Sequence, residues 1–395
     1  MRTEQNAFTS IARRARCAQK LTLAAFAAAV AVLPYAASAQ GSGAVGTIYT
    51  TTNSTSGNAV IRIKRLGNGA LTAPQAFYTG GQGTGASLGS QGAIIVGPTS
   101  QYLYAVDAGS NDVAVFRIGS ETLTRVGTFA SGGTQPVSIT AYGSLLYVLN
   151  AGSDNIAGFR ILDDGSLRAI PGSNQNLSNG VGGTVQINTA ISTGAAEIAF
   201  TPDGQQLAVT EKNTNKIDVF QVGINGAAGP AVITASHGVT PYGFAFDWAG
   251  HAIVSEAAGA QAGAASVSSY FISDFGTLPI TGSYPDGQTA ACWLMTYGQI
   301  AWTTNAASST ISVYNISANG RLTLATLPGG GSSVGVPGEG AHPSDMATDS
   351  NHRFLYVLLP GTQSVAGYKI GDNGSLTLTT VLGGLGSGLV GIAGL

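Results

Sequence analysis

Two glutamates, Glu211 and Glu256, stand at the same place in neighbouring repeats of this sequence, where sister repeats carry Asn53, Asp107, Asn150 and Asn305. Glutamate is a poor turn residue, so its presence at a hairpin end suggests a task beyond closing the turn. Two carboxylates brought close together either share a proton, raising one apparent pKa, or hold a cation. With a histidine nearby they form an acid–base set for hydrolysis, in which one group activates water and another protonates. His342, just before Pro343, and His237 are the histidines placed for that role, with Glu211 or Glu256 as the base. Asn53, Gln91, Asp107, Gln135, Asn150, Lys212 and Asn305 would surround the same opening as ligand-binding groups. The plainer role for the Asn and Asp members is to bond the backbone of their own turns.

The elements that must position these residues are written as a repeat. Leu103 to Ile118 reads LYAVDAGSNDVAVFRI, and Leu146 to Ile161 reads LYVLNAGSDNIAGFRI. Worn copies begin at Ile48, Leu207, Ile253, Ile300 and Phe354, which makes seven, spaced 43 to 61 residues apart. Each copy is a hairpin, two apolar runs around a polar turn. Most are preceded by a short strand of small residues, such as PVSITAY at Pro136 or ACWLMTY at Ala291, and followed by another after a turn such as Asp163-Asp164-Gly165-Ser166. Four strands per unit at this period predict an all-β, seven-bladed β-propeller of antiparallel blades, with strands A to D running outward from the axis.

The first copy lacks a strand A, and GLVGIAG at Gly388 to Gly394 has the texture of one. The C-terminal strand is therefore expected to complete the first blade and close the ring. The B–C turns and D–A connections then share one face, the A–B and C–D turns the other. The second set is short and regular, and holds His251 and His352. The first set includes the long Gly/Ser-rich connections Gly80 to Ser90, Gly172 to Ala195 and Gly329 to Ala341. Long loops on one face of a rigid scaffold are where sites usually form.

Residues 1–39 read as a secretory leader: Arg13, Arg14, Arg16 and Lys20, then the apolar run Leu21 to Leu33, then Ala37-Ser38-Ala39. This predicts a chain exported to the periplasm or beyond, with 40–395 as one propeller domain and no membrane span. Of 17 basic and 19 acidic residues, the leader holds five basic and one acidic, leaving 12 and 18. A mildly acidic, sparsely charged domain does not suit nucleic acid or an anionic membrane as partner. Only Cys292 remains after the leader, so no internal disulfide is expected and the thiol reads as a small buried apolar group. Gly85-Ala86-Ser87-Leu88-Gly89 matches the nucleophile-elbow pattern but lies in a loop without the strand and helix that pattern needs. No His/Cys spacing suggests zinc, and no loop has a calcium spacing, so no cofactor is expected.

The hairpins, the turn Thr201-Pro202-Asp203-Gly204 and the run Gln288-Thr289-Ala290-Ala291-Cys292-Trp293 resemble the seven-bladed lactonase family, over about Ile48 to Leu395. That family takes in 6-phosphogluconolactonase-like proteins and carboxymuconate cyclases. The resemblance implies a monomeric lactonase-like hydrolase or cycloisomerase acting on a small lactone or carbohydrate-derived ligand. The cyclases use His, Glu and Arg together. No Arg stands at the corresponding places here, and Lys212 is the nearby cation, which disfavours a phosphorylated or tricarboxylate substrate. The alternative is a non-catalytic propeller that binds a protein, glycan or small ligand.

Overall fold

The computed structural model describes residues 43–72, 74–178 and 192–395; residues 1–39, where the sequence reads as a leader, and most of the Gly172 to Ala195 connection lie outside them. Seven antiparallel sheets follow one another around an axis. Blade one is built from Ala44–Thr51, Ala59–Leu66 and Gln75–Tyr78, with Val390–Gly394 as its innermost strand. Thr50 pairs with Ile392 and Ile48 with Gly394, so the C-terminal strand closes the ring as the sequence predicts. Threonine hydroxyls reinforce the seam, Thr50 Oγ1 donating to Gly391 O at 2.7 Å and Thr51 Oγ1 to Val390 O at 2.9 Å. Blades three and six carry a fifth short strand each, Gln175–Asn176 and Ser333–Gly335.

The repeated apolar positions pack blade against blade. Tyr104, Val113, Val115 and Phe116 are fully or almost fully buried, as expected for sheets that cannot cover both faces alone. The C–D turns do more than reverse the chain. Tyr102 at the start of one B strand donates through its hydroxyl to Asp163 O, 2.9 Å away in the turn of the next blade. Trp302 Nε1 to Gly374 O at 2.8 Å and Tyr356 Oη to Gly69 O at 2.9 Å repeat the same latch further round. Gly165 has φ of +83°, and a Cβ there would lie 2.3 Å from the Tyr102 ring. The Asp-Asp-Gly-Ser turn therefore needs glycine both for its backbone and for the neighbouring ring.

The strands of the inner ring are positioned by a second repeat that is not visible in composition. Gln135, Gly194, Thr240, Ala290 and His342 each precede a strand A and each has a positive φ, between 48° and 64°. Their place is fixed by the following hairpin: Ala151 N donates to Gln135 O, Ala257 N to Thr240 O and Ala306 N to Ala290 O. This left-handed residue turns the chain from the outer face down into the axis.

Candidate functional site at the axis

The axis is not an open pore. Ser90, Gln91 and Gly92, at the end of the Gly80 to Ser90 connection, cross it and bond to blades three, four, six and seven. Ser90 Oγ donates to Val137 O at 2.8 Å, and Trp293 Nε1 donates to Ser90 O at 2.7 Å. Gln91 N donates to Ala196 O at 3.0 Å, and Ile139 N to Gly92 O at 2.9 Å. Gly92 N reaches Asp345 Oδ2 at 3.2 Å. The Gln91 amide pairs with the backbone of Leu294, Nε2 to O at 2.7 Å and N to Oε1 at 2.9 Å. Gly243 must lack a side chain here, because a Cβ would sit 2.2 Å from Gln91 Oε1.

This crosspiece separates two cavities. The upper one, about 370 Å³, lies on the face of the B–C turns and D–A connections. Gly85 to Ser90 form one wall; Trp293, His342, Ser344, Asp345 and Gly388 to Gly391 form the rest. His342 Nδ1 stands 3.1 Å from Ala306 O, a contact that a protonated Nδ1 satisfies and that leaves Nε2 as the acceptor of the neutral ring. Asp345 is buried at the inner end, accepting from Met346 N at 2.9 Å as well as from Gly92 N. Burial pushes its carboxyl up to about 7, against the pull of those backbone donors. Trp293 packs at a tilt of 57° against Tyr242, ring centroids 5.0 Å apart, and the Tyr242 ring also lies 4.8 Å beneath the Lys212 ammonium. Lys212 donates to Gly89 O, and desolvation lowers it to about 8. Cys292 beside it is buried, and its thiol is raised to about 12 by burial.

Of the residues expected at one opening, His342 lines this cavity, Gln91 seals its inner end and Lys212 holds its loop wall through Gly89. The structure does not bring the two glutamates to it. Glu211 is fully buried and accepts from Ser178 N at 2.9 Å, Ser178 Oγ at 2.5 Å and Thr214 Oγ1. Glu256, equally buried, accepts from Gly238 N at 2.9 Å, Ser266 Oγ at 2.5 Å and Ser268 Oγ. Their partner sets are separate. The physical reason is shared by the sister positions. Asp107 accepts from Thr79 Oγ1 at 2.8 Å, and Asn150 Nδ2 donates to Ser131 O at 3.2 Å. In each case the end of strand B pins the chain leaving strand D of the preceding blade. Asn305 bonds Thr310 and Ser312 within its own sheet, and Asn53 fixes the loop wall through Thr84 and Ala86 O. Burial raises Asp107 to about 6. His237 is exposed beside Tyr270, and Gln135 is exposed. His251 and His352 stay in their turns, bonded to Asp247 and Thr348.

Sequence reasoning did not single out Asp345 or Glu197, and used Trp293 only as a mark of resemblance. Asp345 lies just before the strand Met346–Thr348, and Trp293 and Glu197 share one register position with Ser138 and Gly243, the third residue of strand A. A polar or bulky group recurring there in otherwise small-residue strands is the signal that points to the axis.

Residues 46–181 match the family described as Lactonase, 7-bladed beta-propeller. Over that stretch the chain is similar to this family, and its fold as a whole is a seven-bladed propeller. Solved structures of the same fold include a Lactobacillus plantarum protein, 19% identical, with a TM-score of 0.70 over 89% of this chain and 99% of that one. A putative 6-phosphogluconolactonase from Bacteroides fragilis is 17% identical, with a TM-score of 0.65 over 89% and 98%. The periplasmic gluconolactonase of Pseudomonas aeruginosa is 15% identical, with a TM-score of 0.65 over 87% and 98%. No curated protein sequence matches the chain. Among the described residues, no group of three or more His, Cys, Asp or Glu is placed to hold a metal ion. No helix among them is long and apolar enough to cross a membrane.

Proposed function

We propose that the upper cavity binds and hydrolyses a small, uncharged lactone. The observation that carries this reading is that His342 and Asp345 line the same cavity of about 370 Å³, with Trp293 as its broad apolar wall. A sugar-derived lactone has the size for such a space and an apolar ring face to lay on an indole. His342 Nε2 takes the proton of an attacking water as its oxygen adds to the lactone carbonyl. The tetrahedral intermediate then collapses, the ring C–O bond breaks, and Asp345 supplies the proton to the departing alkoxide oxygen. An acid near pKa 7 can both give that proton and be refilled at neutral pH. Among the described residues, the cavity wall contains no Arg or Lys, which supports a neutral substrate over a sugar phosphate. In this reading Glu211 and Glu256 hold neighbouring blades together and touch no substrate. The leader-like residues 1–39 support export to the periplasm.

The test is a pH-stat panel of neutral aldonolactones against 6-phosphogluconolactone with pure protein. Opening of a neutral lactone above the uncatalysed rate supports the proposal. Turnover of the phosphorylated lactone alone counts against it.

A further inference from the structure

The lower cavity is a separate space of about 430 Å³ beneath the crosspiece, running along the A strands towards the A–B turns. The side chains of Ile95, Val96, Ala141, Ala199 and Met295 border it, among the polar backbone edges of the inner strands. Its inner end is polar and acidic. Glu197 lies there, 7% exposed, with Asp345 and the Gln91 amide beside it. Glu197 Oε2 accepts from Phe244 N at 2.5 Å, and no partner among the described residues reaches Oε1. Among the described residues, the wall carries no basic residue. A carboxyl group with one oxygen unmatched, set at the inner end of this space, lacks the donor and the positive charge that would complete it.

We propose that this lower cavity is a binding site for a small primary alkylammonium, its charged head on Glu197 and its hydrocarbon tail along the A strands. An ammonium brings three N–H donors, enough for Glu197 Oε1 and for the carbonyl oxygens at the inner strand edges. Its tail displaces water from Val96, Ala141, Ala199 and Met295. Burial and the nearby Asp345 carboxyl hold Glu197 towards its neutral form, and a bound cation returns it to the carboxylate. A bare divalent cation fits less well, since two carboxyls and no third acidic ligand stand at this end. The proposal does not rest on catalysis in the upper cavity, from which the Ser90 to Gly92 crosspiece divides it.

Isothermal titration calorimetry of the full chain at pH 8 with n-butylammonium, n-butanol and calcium chloride tests it. Saturable binding of n-butylammonium but not n-butanol is expected. Glu197→Gln should weaken it at least tenfold, Ala199→Phe should block it by filling the space without touching the carboxyls, and His342→Ala should leave it unchanged. The absence of saturable n-butylammonium binding overturns the proposal. So does binding that survives both Glu197→Gln and Ala199→Phe, or calcium binding that needs Glu197 while the ammonium does not bind.

Discussion

Gln91 of the second blade clasps Leu294 of the sixth across the propeller axis, its amide making both hydrogen bonds that a neighbouring strand would make, at 2.7 and 2.9 Å. One side chain thus ties opposite walls of the ring and divides the axial space into two cavities with different chemistry. Asp345 borders both, and its Oδ2 receives the Gly92 N–H of the same crosspiece.

Gln91→Ala would leave the Leu294 N–H and C=O without partners near the axis. Unpaired buried groups cost about 1–3 kcal/mol each. The variant is expected to lose about 2 kcal/mol or more in urea unfolding, with a slope close to that of the parent. Stability equal to the parent would mean that water replaces the clasp without penalty.

Ending the chain at Ser387 removes Val390–Gly394 and bares the inner edge of Ala44–Thr51. An unpaired edge in an opened ring should lower thermal stability sharply and promote association. Light scattering during a thermal melt checks this; a melt like that of the full chain would contradict the closure.

Asp218 lies beside Glu211, fully buried, and burial followed by the Glu211 charge raises it to about 9. Its folded pKa is above its unfolded value, so the folded state keeps a proton that the unfolded state loses. Stability from this group is therefore present below about pH 4 and falls as pH rises towards 9. Asp218→Asn should remove that slope and stabilise the protein by about 1–3 kcal/mol at pH 8, with little effect at pH 4. Denaturation at both pH values decides it; equal changes at both would mean that Asp218 is not the titrating group.

The fold was legible because its signals are local and repeated. The hairpins around Asp107, Asn150 and Asn305, and the strand texture of Gly388 to Gly394, follow from alternation and turn chemistry alone. The site was legible only in part. Loop lengths pointed to one face, and His342 drew notice by its place before Pro343. Glu211 and Glu256 were conspicuous because they break the repeat, yet a break of pattern does not tell which neighbour a side chain meets. Their hydroxyl partners, Ser178 in one case and Ser266 and Ser268 in the other, belong to a connection and a strand whose approach is tertiary. Asp345 and Glu197 were hidden for the opposite reason. Glu197 sits within, and Asp345 just before, a short strand that reads as scaffold, and only the curvature of the ring carries them to the axis.

The central claim, that His342 and Asp345 act on one substrate in the upper cavity, is tested most directly by the pH–rate profile of neutral lactone opening in the parent, His342→Ala and Asp345→Asn. The account predicts that each substitution lowers kcat about a hundredfold or more, as for loss of a general acid or base. It also predicts that Asp345→Asn abolishes an inflection near pH 7 while melting changes little. Parent-like turnover in both variants, or an inflection that persists in Asp345→Asn, would contradict it.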